Sequence, residues 1–412
     1  MLQKGKDLGE CTHVSSLVGT EIAQIVFHHF FIGCVPWQVR PGDCVVAFSR
    51  NDIFAIKREI EKHTGYKCCV IYGKLPSQIR TDQARLFNDP NSGYDILVAS
   101  DAIGMGLNLN IRRIIFNTIF KFDGESVVRL GHSAIKQISG RAGRRNSPYP
   151  QGEVTCRDPR DLEYIRHCLS TDIPPIEKAG LLPTAAHIEL FSDAMQRYHL
   201  GKKGTTTGTL QNPNDLYRVL RQFSAMATVK GDYFLCRQTE MRRLAKKLNH
   251  IPLQIRDAYT LCLSPVSEAA MTLLENFAKK LSRGEVCGLP SRTVPKKAKN
   301  FDELSHLCNM YSDADLFLWL QFKFPPSNAV EQQAAIFRKE QTLAFINEAL
   351  ANSENLKLNH SYISQSARYR AAWEKDLGYA SDALLDEDNE NEREYRGGED
   401  EYGVDEGDEA IY

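Results

Sequence analysis

Between residues 41 and 156, short apolar runs alternate with stretches whose apolar positions recur every three or four residues. Residues 44–49 are apolar almost throughout, as in a strand buried on both faces. Residues 52–63 follow, with Ile53, Ile56 and Ile60 at helical spacing. Residues 67–72, 94–99, 113–118 and 152–156 read as further strands, and 76–87 and 133–141 as helices. Pro76 suits a first helical turn, where its missing N–H would find no partner anyway. This alternation predicts an α/β doubly wound parallel sheet, in which ligands sit beyond the carboxyl ends of the strands.

From Pro174-Pro175 onward the pattern is helical, predicting an all-α C-terminal region. Helices are expected from Thr184 to about Leu200 and over 215–227, 239–249, 266–283, 313–322 and 330–351. The Gly- and Thr-rich residues 202–214 read as a linker. The aromatic run Phe317, Trp319, Phe322 and Phe324 reads as core rather than as a platform for stacking bases. Ahead of the sheet, residues 1–38 are unassigned apart from an expected helix over 20–31, and His28-His29 lack a third metal-ligating partner. The chain thus divides into 1–38, a sheet domain over 39–173, a helical domain over 174–352, and a mostly disordered acidic tail over 353–412.

Charge changes this picture because it is segregated. The net charge is −1, yet from residue 381 onward fourteen acids face two bases, so the tail carries −12 and the rest +11. A basic body suits a polyanionic partner. Eleven cysteines without a Cys-x-x-Cys pair argue for free thiols and against a zinc ribbon, and no metal ligand set is assigned. No apolar run is long enough to cross a membrane, and residues 1–38 lack the character of a transit peptide.

Three stretches carry candidate chemistry. Ser49-Arg50-Asn51 follows the first strand, where Ser49 could equally cap the next helix. Ser100-Asp101-Ala102-Ile103-Gly104-Met105-Gly106-Leu107-Asn108 follows the third strand; its glycines let backbone amides approach a phosphate, and Ser100 and Asn108 bring hydrogen-bonding side chains. Gln137-Ile138-Ser139-Gly140-Arg141-Ala142-Gly143-Arg144-Arg145 gathers three guanidinium groups, which grip phosphate oxygens bidentately.

In wording and order these residues resemble the second RecA-like domain of superfamily-two helicases. Residues 44–50 are similar to helicase motif IV, 99–108 to motif V of the DExH type, and 137–145 to motif VI. Ala179-Gly180-Leu181-Leu182-Pro183-Thr184, Ile188-Glu189, Tyr233-Phe234-Leu235-Cys236 and residues 304–319 resemble the helical C-terminal part of the mitochondrial RNA helicases that work with an exoribonuclease. The resemblance implies ATP-driven 3′-to-5′ movement along single-stranded RNA, with Mg2+, in the mitochondrial matrix. It makes Arg141 and Arg144 arginine fingers, has Gln137 position the phosphates or attacking water, and places Gly104, Gly106, Asn108 and Arg145 near the nucleotide. Ser100 would touch the RNA backbone, with Ser49, Arg50 and Asp101 on the same side.

One departure is large. Such helicases need a P-loop ending Gly-Lys-Ser/Thr, and both Gly73-Lys74-Leu75 and Gly201-Lys202-Lys203 lack the hydroxyl residue. Asp386-Glu387-Asp388-Asn389 imitates a magnesium-binding motif but follows no apolar strand. The expectation is a helicase fragment that lacks its first RecA-like domain and is inactive alone as an ATPase. The alternative is a catalytically inactive RNA-binding or scaffold protein built from half a helicase.

Overall fold

The computed structural model describes residues 13–16, 23–26, 38–123, 126–201, 215–290, 298–325, 328–352 and 368–373. Two short strands come first, β1 (His13–Ser16) and β2 (Ala23–Val26). Then come β3 (Asp43–Val46), α1 (Arg50–Thr64), β4 (Lys67–Ile71), α2 (Ser77–Asn88) and β5 (Tyr94–Ala99). After a short 3-10 turn (Asp101–Gly104) follow β6 (Arg113–Phe116), β7 (Phe120–Phe122), β8 (Val127–Arg129) and α3 (His132–Ser139). β9 (Glu153–Cys156) and α4 (Leu162–Ser170) complete the first half.

The second half runs β10 (Ala179–Leu181), α5 (Ala185–Gly201), α6 (Leu216–Met226), β11 (Tyr233–Leu235), α7 (Thr239–Leu248) and α8 (Ile255–Cys262). It ends with α9 (Met271–Ser282), α10 (Phe301–Lys323) and α11 (Ala329–Ala351).

Seven strands form the main sheet in the order β1-β2-β9-β6-β3-β5-β4, parallel except for the β1–β2 pair. Successive residues of each strand serve opposite faces. Cys44, Val46, Cys69, Ile71, Leu97, Ala99, Ile114 and Phe116 join α3, α4 and the end of α2 in one core. Val45, Val70, Ile96, Val98 and Ile115 join α1 in a second core on the other side. Burial on both faces is why the strands read as continuous apolar runs.

That second face is covered largely from far along the chain. Phe301, Leu304, Leu307 and Cys308 of α10 and Ile346, Ala349 and Leu350 of α11 pack into the α1 side. Farther along α10, Leu316 and Leu320 enter a third core built by α5 to α9. One 23-residue helix therefore belongs to both halves.

Several expectations are corrected. Instead of a helix over 20–31, residues 23–26 form β2, pairing with β1 and, at Val26, with Glu153 of β9. A sheet edge offers unpaired backbone groups, and filling it outweighs local helical spacing. The strand expected over 44–49 ends at Val46 and that over 113–118 at Phe116, while the helix expected over 133–141 ends at Ser139. The helix expected over 313–322 starts at Phe301, where Asn300 caps the amide of Glu303. The hairpin β7–β8, the pair β10–β11, and helices α4 and α8 have no counterpart in the sequence reading. Of the aromatic run, Phe317 is fully buried and Trp319 and Phe324 line the third core, whereas Phe322 is 76% exposed. His28-His29, the 202–214 linker and residues 381–412 lie outside the described residues.

Candidate nucleotide and nucleic-acid edge

The carboxyl ends of β9, β6, β3 and β5 lie side by side, so the polar residues that follow each strand line one edge of the sheet. The ladder continues one step past the strands: Arg157 N–H donates to Phe116 O, Asn117 N–H to Val46 O, and Ala47 N–H to Ala99 O. Arg157 also reaches across to the Asn117 side-chain oxygen at 3.1 Å. Neither residue stood out in the sequence. Their signal was positional, a polar residue directly after a buried parallel strand.

Ser49, three residues past β3, and Ser100, directly after β5, do similar local work. Ser49 is buried and caps α1, accepting from Asp52 N–H at 3.5 Å. Arg50 starts that helix, half-buried. Ser100 is buried and accepts from Ala102 N–H at 3.1 Å, capping the 3-10 turn that holds Asp101, which is exposed.

The glycine loop and the arginine stretch meet directly. Gly104 is buried, and a Cβ placed on it would lie 3.4 Å from Cδ of Gln137. The Arg141 guanidinium donates to the Gly104 carbonyl across 37 residues of sequence. Gly106 has φ +77°, with open space where a Cβ would sit. Asn108 is exposed, and Asn88 brackets its backbone by donating to Asn108 O and accepting from Asn110 N–H.

Beyond Arg141 the chain is sewn to the sheet. Gly143 N–H donates to Ile111 O at 2.9 Å, and Arg144 N–H to Tyr149 O at 2.9 Å. Gly143 has φ +73°, and its missing Cβ would fall 2.4 Å from the nitrogen of Gly152. Two glycines thus let two backbones touch. The result leaves Arg144 and Arg145 exposed while Arg141 is half-buried. Among the described residues, the Arg144 side chain forms no hydrogen bond or ion pair.

The donor set suits a polyphosphate: two or three guanidinium groups, the Gln137 amide, and an open backbone at Gly106. A divalent cation finds less here. Asp101 is the one carboxylate among the candidate residues, and no cluster of three or more His, Cys, Asp or Glu among the described residues could hold a metal.

Residues 27–146 match the model of the helicase conserved C-terminal domain, and residues 243–282 match Suv3 C-terminal domain 1. The chain carries the C-terminal part of a Suv3-like helicase of superfamily two. The doubly wound sheet is accordingly RecA-like. The Arabidopsis thaliana DExH-box ATP-dependent RNA helicase DExH18, mitochondrial, is 36% identical over 353 residues, covering 84% of this chain and 42% of that protein. ATP-dependent RNA helicase SUV3L, mitochondrial, of Oryza sativa is 38% identical over 303 residues, covering 72% and 39%. Human ATP-dependent RNA helicase SUPV3L1, mitochondrial, is 39% identical over 300 residues, covering 70% and 36%. The chain therefore spans well under half the length of these three relatives.

Proposed function

We propose that this chain supplies the second jaw of an ATP-dependent RNA helicase acting in mitochondria, with the P-loop jaw provided by other residues. The observation that carries the reading is the pairing of the arginine stretch with the glycine loop. Arg141 is held against Gly104, while Arg144, three residues on, stands exposed where the chain bonds to Ile111 and Tyr149, ahead of the amino ends of β6 and β9. In this reading Arg144 and Arg141 stabilise charge on the transferring γ-phosphoryl group, and Gln137, against Gly104, helps position phosphate or water. Gly106, Asn108 and Arg145 lie toward the nucleotide. Mg2+ bound to the nucleotide would supply neutralisation of phosphate charge, with its protein ligands drawn from the other jaw. Arg50, Asp101 and the capped turns at Ser49 and Ser100 face the RNA backbone, and movement is 3′ to 5′ in company with an exoribonuclease.

Arginine fingers stabilise a transition state that other groups must bind and orient. The chain alone should therefore release phosphate from MgATP no faster than buffer, with or without RNA, in a coupled phosphate assay. RNA-stimulated hydrolysis would overturn this. Single-stranded RNA should bind nonetheless, with affinity falling steeply as salt rises, because phosphate contacts release counterions. Binding indifferent to salt would argue against the RNA face and against a scaffold built on it.

A further inference from the structure

A short helical segment far along the chain returns to the RecA-like domain. Residues 368–373 are helical and seat three side chains on it. Trp373 packs against Phe120 of β7, ring centroids 5.0 Å apart, with the Arg129 guanidinium 5.1 Å from the Trp373 centroid. Arg370 donates to Asp161, lies 3.3 Å from Asp158, and stacks its guanidinium 5.0 Å from the Phe120 centroid. Tyr369, like Trp373 and Phe48, packs on the core beneath the candidate edge. Burial raises the Tyr369 phenol, and Asp52, in the first turn of α1, adds to the shift. The segment thus lies from the turn after β9 toward the Ser49-Arg50 turn.

The seat has the marks of a specific anchor. Asp161 is buried, and burial pushes its carboxyl up while the Arg370 hydrogen bond pulls it down. An unpartnered carboxylate there would be costly, so Arg370 stabilises more than an exposed ion pair would. Eight residues after Trp373 begins the stretch carrying fourteen acids and two bases. Eight extended residues reach at most about 28 Å. The anchor therefore sets the start of the acidic run within about 28 Å of its seat.

We propose that residues 368–373 are a latch that tethers the acidic run beside the RNA-facing edge, where it competes with RNA. The proposal rests on the RNA reading above. Tethering acts through effective concentration: a weak competitor held nearby acts as if present at millimolar level, and once the seat is released it is held only by the longer link from α11, so that concentration falls. The occupant of the latch seat is this chain's own segment, and the competition is electrostatic.

The test uses full-length chains and a single-stranded polyuridine probe at low salt, with affinity read by fluorescence anisotropy. Neutralising Asp386→Asn, Glu387→Gln, Asp388→Asn and Glu390→Gln together should tighten binding about threefold to tenfold. Trp373→Ala, and separately Arg370→Glu, which sets a carboxylate against Asp158 and Asp161, should tighten it in the same direction by a smaller factor, about twofold to threefold. Combining release with neutralisation should add little. Thermal melts check that each variant folds, and Arg370→Glu carries the test if Trp373→Ala does not. Unchanged affinity on neutralisation overturns the competition. A gain on neutralisation without any on release overturns the latch. Absence of binding by every protein overturns the RNA reading and this proposal with it.

Discussion

At the scale of single residues, the arginine stretch depends on a glycine packed against main chain. Gly143 combines a left-handed φ of +73° with a backbone neighbour 2.4 Å from where its Cβ would be. An L-residue there meets both the left-handed penalty and a clash with main chain that no rotamer relieves. Gly143→Ala should destabilise the domain by about 3 kcal/mol in a urea melt, and Gly106→Ala, with open space at its Cβ, by about 1 kcal/mol. Equal effects would mean the Gly143–Gly152 approach is not what holds the loop. Asp43 shows a comparable dependence at the same, amino end of the strands. It is fully buried and paired with Arg113 at 2.5 Å; desolvation raises its carboxyl and Arg113 opposes the rise.

At the scale of elements, the helical half is tied together by packing and by exposed ion pairs, among them a three-residue cluster. Glu268, just before α9, takes Arg243 and Lys247 of α7 at 2.8 and 2.7 Å. Hydrogen bonds from Lys247 and Arg243 hold its carboxyl down at about 2, below its ordinary 4.5. A depressed carboxylate stabilises fully above its unfolded pKa and loses that contribution as pH falls through the folded one. Wild type should therefore melt above Glu268→Gln at pH 6, with the gap closing between about pH 4.5 and 2. About 0.5 M salt should shrink the gap, because the cluster is exposed. A gap independent of pH would point to packing instead.

At the scale of the whole molecule, the α1 face of the sheet is completed by helices more than two hundred residues away in sequence. Leu307 of α10 is fully buried in that face, while Leu320 of the same helix is fully buried in the helical core. Leu307→Ala should cost about 2–5 kcal/mol. Because the helix is shared, the loss should appear in one cooperative transition for both halves, followed by near-UV and far-UV dichroism together. Separate transitions, with only the sheet half weakened, would show that α10 does not couple them.

Much of the fold was legible from local pattern. A strand buried on both faces is apolar along most of its length, so β3, β4, β5 and β6 announced themselves, and the helices between them followed from apolar spacing. The candidate residues were legible because Gly and Arg carry chemistry in their type. The capping role of Ser49 was also foreseen; Asn117 and Arg157 were not, because their meaning lies in strand order. β2, α10 as a shared helix, and the seat of Trp373 were likewise hidden. The sequence by itself therefore determined most strands and helices of the sheet domain and which stretches carry candidate phosphate-binding residues, since both depend on neighbours within a few residues. Tertiary structure alone decided that Arg141 turns to Gly104 while Arg144 stays exposed, which helices close the sheet's second face, and where residues 368–373 pack. Those outcomes rest on contacts between residues tens to hundreds of positions apart, which leave no periodic trace along the chain.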